Sequence, residues 1–583
     1  MAETLISPGV LTRENDISFI QPAPVEAGAA FVGPTVKGPV ELPTVVTSYS
    51  DYVNKFGTTF TSGSTKQEFL TSIAVKNYFS QGGSTALITR VVSGSFTSAT
   101  NTHVSASVNG GTAPFILKTI GKGAIFNNST ALTDAGAENS SDSSLVSGSS
   151  DNLRWEVQNV NNAKGTFTLL VRRGDDNRNN KIVLETWPNL SLDPESDRYI
   201  EKVIGNQEVS VNTAESQYYI QHSGSFANKS RYVYVSSVGR KTLNYLALNG
   251  KTVNTDASGN SFSGSLPVAA SGSFYGATGN IVNGGDNYFN DISTTTQGLV
   301  AANYAVALNL LNNQDEYQYK VITTPGLIYG VGGHTSTLDT LISNVESRGD
   351  AIAVVDLVVY GSAIASVTTQ AGNVNSSYAA AYWPWLQVQS ATGKNVWVPA
   401  STVIPGVYAF TDNSTAPWFA PAGLVRGGIP GVIQAERKLT KANRDTLYDD
   451  KVNPIATFPG AGVAVFGQKT LQTKASALDR VNVRRLLIEL KKFFGDQARN
   501  LVFEQNTINT RNRFLSIVNP YLTSVVQRQG LYAFRVVMDD TNNTNDVIDR
   551  NQLVGQVFIQ PAKTAEFIVL DFVVEPTGAT FVA

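Results

Sequence analysis

Three histidines, His103, His222 and His334, are the side chains in this 583-residue sequence best suited to proton transfer near neutral pH. No two of them stand at a metal-ligand spacing, and a general base also needs a positioned partner. Each therefore reads as a packed or surface residue. Cysteine is absent, which removes thiolate nucleophiles, thiolate metal sites and disulfides together. The glycine-rich stretch "GVGGHTSTL" (330–338) precedes a helical pattern but has no lysine and no GxxxxGK[ST] spacing, so it reads as a turn. "DDTNNTND" (539–546) resembles a calcium loop only in its acids and amides. It lacks the central glycine and terminal glutamate of that loop, and turn chemistry explains it better. No carboxylate pair is singled out. The expectation is a non-enzymatic chain with no catalytic, cofactor or metal site.

Charged residues do gather in "SALDRVNVRRLLIELKKFFGDQARNLV" (476–502), the clearest helical stretch. Ser476 followed by Asp479 fits a capping-box start. Val483, Leu487, Leu490, Phe494, Ala498 and Leu501 recur at spacings of three and four, an apolar stripe for a core. Arg484, Arg485, Lys491, Lys492 and Arg499 project from another face, and Gly495 bends or ends the helix. Two readings remain open for that basic face: a solvated surface, or electrostatic docking on an acidic partner.

Near the end of the sequence, "EFIVLDFVVEP" (566–576) is apolar on both faces of an extended strand. Phe567, Val569 and Val573 point one way; Ile568, Leu570, Phe572 and Val574 point the other. Such a strand should be covered on both sides. Completion of its own sheet and addition to a neighbouring copy's sheet stay equally compatible with the residues, because strand chemistry is the same in both.

The elements that must position these stretches follow from pattern. Hydrophobic residues make up 42% and charged residues only 15%, against about 25% charged in typical soluble proteins. That balance allows large cores and extensive subunit contacts, and it equally fits a β-rich fold full of Ser, Thr, Asn and Gly. A net charge of −2 argues against nucleic acid as the main partner. The first residues carry no basic n-region or apolar h-region, and no apolar run approaches the roughly 20 residues that span a bilayer. No direct membrane insertion is expected, and a reducing cytoplasm suits the chain.

Residues 1–24, with Pro8, Pro22 and Pro24, read as an extended arm. A helix is expected in "TKQEFLTSIAVKNYFSQGG", ended by Gly82, followed by a buried strand at "TALITRVV". Small polar residues dominate from about 92, and "RWEVQNV" and "GTFTLLVRR" alternate as antiparallel strands. Later segments are α/β in character: "STLDTLISNVESRGD" as helix, "AIAVVDLVVYG" as strand. "LYAFRVVMDD", "LVGQVFIQP" and "EFIVLDFVVEP" then give three strands, with a short helix at "NDVIDRN". The fold class is α+β and multidomain. Its segments are 1–24 (arm), 25–91 (core), 92–315 (β-rich insertion), 316–470 (core), 471–565 (C-terminal domain) and 566–583 (strand or arm).

The helix 476–502 with "NLVFEQN" resembles the C-terminal core of contractile-tail sheath proteins, the outer-tube subunits of myovirus tails and related injection machines. "ISPGVLTREND", "FVGPTVKGPV…SYSDYVNKFG", "ETWPNLSLDPESDRYIEKVI", "AAAYWPWLQV", "VPASTVIPGVYAFTD" and "NPIATFPGAGVAVFGQKTL" are similar to further family segments, in family order. The resemblance implies an α/β sheath core built from N- and C-terminal segments, with protruding β-rich insertions. It also implies stacked six-subunit rings around an inner tail tube, assembled in the host cytoplasm into a virion tail, with baseplate and tail terminator as further partners. Neighbours would exchange arms, here through Pro8, Gly9 and Val10 and through Phe567, Ile568, Val569, Leu570, Phe572, Val573 and Val574. It suggests a tube-facing role for Arg484, Arg485, Lys491 and Lys492. A sheath of a non-phage injection system is the neighbouring alternative. A β-rich adhesin would use the insertion but has no need of the basic helix.

Overall fold

Alternation of small and branched apolar residues over short runs demands strands covered on both faces, and a central eight-stranded sheet provides them. The computed structural model describes residues 26–62, 64–101, 113–128, 141–281 and 288–568. The sheet strands are β1 (Ala27–Gly33), β2 (Thr44–Val46), β3 (Ala86–Arg90), β4 (Tyr319–Ile328), β5 (Ile352–Asp356), β6 (Ala379–Trp383), β7 (Val452–Phe458) and β8 (Gly462–Val465). Their order is β2-β3-β1-β4-β5-β6-β7-β8. The inner six run parallel, and the two edge strands are antiparallel to their neighbours.

Period-two patterning sends neighbouring residues into opposite cores. Phe31, Val321, Val354 and Tyr382 face one cluster; Val32, Ile322, Val355 and Trp383 face the other. Helices α1 (Tyr49–Phe56), α2 (Leu70–Ser80) and α5 (Ile404–Ser414) cover the first face. Helices α3 (Thr335–Arg348), α4 (Ile364–Gly372) and α6 (Lys441–Asp449) cover the second. Each fully buried Phe, Val, Leu or Ile contributes about 1.5–3 kcal/mol, so this three-layer core dominates the stability of the body. Close approach of β1 to α2 needs Gly28: a Cβ there would stand 2.1 Å from the Tyr78 hydroxyl.

The helix expected from residue 65 starts later. Residues Thr65–Glu68 instead pair with Thr59–Ser62 as a small hairpin, and α2 begins at Leu70. Tertiary burial of Gln67 and Glu68 overrides their helical propensity.

Between β3 and β4 the chain builds a separate antiparallel β unit around its own core of Phe115, Trp155, Phe167, Leu169 and Phe274. A four-stranded sheet (Val183–Ser191, Thr166–Arg173, Leu153–Asn161, Ala270–Ser273) and a three-stranded sheet (Val233–Ser237, Ile116–Lys122, Ser98–Thr100) enclose it. Its buried Arg172 pairs with Asp176 at 2.7 Å and with Glu156 at 2.8 Å. Tyr288, Ile292 and residues Leu299 through Leu311 already pack on the parallel sheet. The return to the body therefore precedes residue 316, where the sequence segments placed it.

Two long helices follow. α7 (Val481–Arg499) is the basic helix; α8 (Ile508–Gln527) has no counterpart among the sequence expectations. Pro520 inside it and its β-branched residues mask the helical period. Leu486 and Leu490 of α7 meet Phe514, Val518 and Leu522 of α8, and Phe493 stacks on Tyr521 with ring centroids 3.7 Å apart. Ser476 caps only a short 3-10 turn (Ala477–Asp479), so α7 starts five residues after the expected cap; Gly495 does not end it. A hairpin of β9 (Leu531–Val537) and β10 (Gln556–Pro561) lies against this helix pair. Among the described residues no helix is long and apolar enough to cross a membrane.

Candidate assembly interface

The hairpin β9–β10 is a two-stranded sheet by itself. Leu531, Phe534, Val536 and Ile559 turn toward the α7–α8 core. Tyr532 and Phe558 face outward, 66% and 56% exposed, and Val557, paired with Val536, is still 37% exposed. Among the described residues neither strand has a second neighbour, so each keeps a row of backbone donors and acceptors unpaired by the sheet. An isolated hairpin is only marginally stable, and an open apolar edge is a template for another strand. The connection between the strands is pinned by amide turn chemistry. Asn543 bonds to Asp539 and Val554, and Asp539 accepts from the Thr541 amide. This is the calcium-like stretch, and it is a turn. Among the described residues no cluster of three metal-binding side chains occurs.

Of the third expected strand, only Glu566, Phe567 and Ile568 are described, and they are not in a strand. Phe567 and Ile568 are 80% and 78% exposed. Val569, Leu570, Phe572, Val573 and Val574 lie outside the described residues, as do Pro8, Gly9, Val10 and His103. From Pro561 the chain crosses a groove of about 930 Å³ whose walls include Leu531 and Tyr532 on the hairpin side and Tyr448 and Gln468 on the body side. Glu566 is fastened on the body side. Arg480 donates to it at 2.8 and 3.0 Å, Tyr448 at 2.9 Å and Gln468 at 2.9 Å. Burial works against its ionisation, but the bonds from Arg480, Gln468 and Tyr448 outweigh it and hold the carboxyl below the usual range.

The first described residue, Glu26, is likewise tied to α7. Lys492 reaches it at 2.7 Å, and Lys320 at 3.5 Å. Burial opposes its ionisation, and the two lysines more than offset this. The roots of both terminal segments thus meet one helix, at Arg480 and at Lys492, about 18 Å apart at 1.5 Å per residue.

The basic face expected on this helix is not continuous. Arg484 is buried, stacked on Tyr378 at 4.0 Å and bonded to Ser377, and burial lowers its pKa. Arg485 is buried against Asp412 at 2.6 Å and over Tyr408 at 4.7 Å. The first turns of α7 are enclosed all round, so these arginines find partners inside the body. Lys491 stays exposed near the Tyr378 hydroxyl, and Lys492 serves Glu26. Of the expected apolar stripe, Val483 and Leu490 are buried while Ala498 is exposed. Sequence reasoning missed Glu566, Arg480, Tyr448 and Gln468 as a group. The last three are separated by 86 to 118 residues from Glu566, and the group has no local signature. His334 is buried, its Nδ1 accepting from the Ile328 amide, a packed histidine.

Residues 298–471 match the phage tail sheath protein central domain, and residues 473–575 match the phage tail sheath C-terminal domain. The parallel-sheet body after the insertion and the α7–α8–hairpin unit are thus similar to the two phage tail sheath domains. The chain is 43% identical over 210 residues to the tail sheath protein of Vibrio phage KVP40, covering 36% of this chain and 31% of that protein. It is 40% identical over 230 residues to the tail sheath protein of Enterobacteria phage T4, covering 39% and 35%. The chain thus spans about a third of the length of these relatives. The sheath tail protein of Listeria innocua shares the fold, with a TM-score of 0.52 and 11% identity over 92% of this chain and 96% of that one.

Proposed function

We propose that the chain is a structural, non-catalytic subunit of a contractile phage tail sheath. It stacks as hexameric rings around an inner tube and shortens to drive the tube through the host envelope. Neighbouring copies are linked by their terminal arms, which add strands to the open hairpin β9–β10. The observation that carries this reading is that hairpin: two strands with exposed apolar residues and open edges, within a matched sheath C-terminal domain. Adding one strand to such an edge gains hydrogen bonds of about 0.5–1.5 kcal/mol each and buries apolar side chains at about 1.5–3 kcal/mol each. Several such contacts per copy hold a lattice while bodies rotate. Assembly takes place in the host cytoplasm, with tube, baseplate and terminator as partners. The tube contact expected from the basic face narrows to Lys491, since Arg484 and Arg485 are enclosed and Lys492 is engaged.

Removal of residues 569–583 tests the proposal. The expected result is a folded monomer, with circular dichroism and melting unchanged, that forms no rings or tubes by negative-stain microscopy. Normal polymers from the truncated chain would defeat it. An adhesin reading has no observation in its favour, because it leaves the matched sheath domains without a role.

A further inference from the structure

The strand expected from the sequence at 569–576, so soon after β10, would have an obvious competing partner: the hairpin just before it. Antiparallel strands are commonly joined by loops of two to five residues. Residues 562–568 are more than enough for 569–576 to turn back and become a third strand of the same copy's sheet. Such self-pairing would fill an edge that a neighbour's arm must use. Something has to hold the segment away.

The geometry points to Glu566 as the latch that does so. We propose that the cluster of Glu566, Arg480, Tyr448 and Gln468 commits residues 569–583 to a neighbouring copy, by fastening the chain on the far wall of the groove before it can fold back on β10. This rests on the strand-exchange reading above and adds the residue that enforces it.

Several features of the cluster favour a latch over an incidental surface contact. Residues 562–568 have no regular secondary structure, yet one side chain within them accepts four hydrogen bonds. Two of these come from one guanidinium, the bidentate geometry that fixes direction as well as distance. The donors belong to three different parts of the body: Tyr448 in α6, Gln468 after β8, and Arg480 at the start of α7. Each donor is held in turn. Arg480 also pairs with Asp479 at 3.1 Å and lies over the Tyr448 ring, and the Gln468 carbonyl accepts from the Val481 amide at 2.7 Å. Gln468 adds a second bond to the segment, to the Thr564 hydroxyl at 2.6 Å. Immediately beyond the latch, the side chains of Phe567 and Ile568 are exposed, whereas Glu566 is held by the body.

The test uses the full chain with Glu566→Ala, and Gln468→Ala as a second, milder variant. Hydrogen exchange of residues 569–576 is followed in dilute monomer and in polymer, together with the concentration at which polymer appears. In the parent chain, 569–576 should exchange freely as monomer and become protected on assembly. Glu566→Ala should show protection of 569–576 and of Gln556–Pro561 already in the monomer, and its assembly threshold should rise about tenfold or more. Gln468→Ala should shift both in the same direction by less. Unchanged exchange and threshold in both variants would overturn the latch while leaving strand exchange intact. Residues 569–576 of the parent chain remaining unprotected in polymer would overturn strand exchange itself, and the latch with it. Loss of fold in Glu566→Ala, seen by circular dichroism, would show the cluster to be a core contact and likewise overturn the proposal.

Discussion

Arg485 and Lys491 lie six residues apart on one helix and have opposite duties. Arg485 offsets the Asp412 carboxylate at 2.6 Å inside the body, with its guanidinium over Tyr408. Truncating one partner of an enclosed pair leaves the other charge uncompensated. Arg485→Ala should therefore cost about 2–4 kcal/mol in chemical denaturation, toward the lower figure because Asp412 is partly open to water. Lys491→Glu should leave stability within about 0.5 kcal/mol and reduce co-assembly with purified tube. Tube sheathed normally by this variant at ordinary salt would exclude Lys491 from the contact. A second residue-scale effect concerns Asp356, which ends β5 and whose carboxylate accepts from Ser401, at 3.1 Å from the amide and 2.5 Å from the hydroxyl. Burial pushes its carboxyl up to about 7, only partly countered by those two bonds. The folded chain then keeps a proton that the unfolded chain has already lost. The resulting stability is complete below the ordinary carboxylate pKa and disappears as pH rises to about 7, at roughly 1.4 kcal/mol per pH unit. Asp356→Asn mimics the protonated group. Its stability relative to the parent should improve between about pH 5 and pH 8, and an equal difference at both pH values would contradict the assignment. Glu566 has the reverse sign: its lowered pKa makes the latch strongest above the carboxylate range and weaker as acid protonates it.

Among the elements, α7 is more than a core helix. Its first turns are enclosed, its side packs on α8, and its Arg480 and Lys492 hold the roots of both terminal segments. A helix is the stiffest short element available, so it keeps the two roots at a fixed spacing. α8 supports it despite an internal proline. Pro520 is exposed and lacks the amide that would bond to Ser516, so it contributes nothing to packing in exchange. Pro520→Ala should stabilise the chain by about 1–3 kcal/mol, read as a higher melting temperature. A fall in melting temperature would mean that the bend it imposes is needed for contact with the hairpin. α8 escaped detection in the sequence for this reason, whereas α3, with regular Leu338, Leu341 and Val345, was legible.

Across the whole molecule, the body and the β-rich insertion keep separate main cores, joined by a small cluster of Val36, Phe60 and Phe69 against Ile125 and Ile281 and by polar contacts. Arg90, at the end of β3, has its guanidinium buried among the carbonyls of Gly38, Lys122 and Val36. Two of these belong to the body and one to the insertion. Burial pulls its pKa down to about 9, since no carboxylate but only carbonyls and the Phe96 ring offset the lost water. Lysine cannot span the same three acceptors. Arg90→Lys should loosen the insertion on the body, and limited proteolysis at residues 91–97 should quicken about tenfold while the body stays folded. Cleavage at the parent rate would show that the insertion is fixed by other means.

Local patterning was enough to define several parts of this protein before any fold was known. Strands such as β3, β5 and β9, the helices α3 and α7, the antiparallel insertion and the sheath resemblance all follow from periodicity and from short stretches in order. These properties depend on neighbours in the chain. The three-dimensional arrangement was needed to show that Arg484 and Arg485 turn inward, that α7 starts at Val481, and that Glu566 is gripped from 86 to 118 residues away. A side chain's charge is fixed by its type, but whether that charge faces water, an aromatic ring or a carboxylate depends on which distant segments the fold brings beside it.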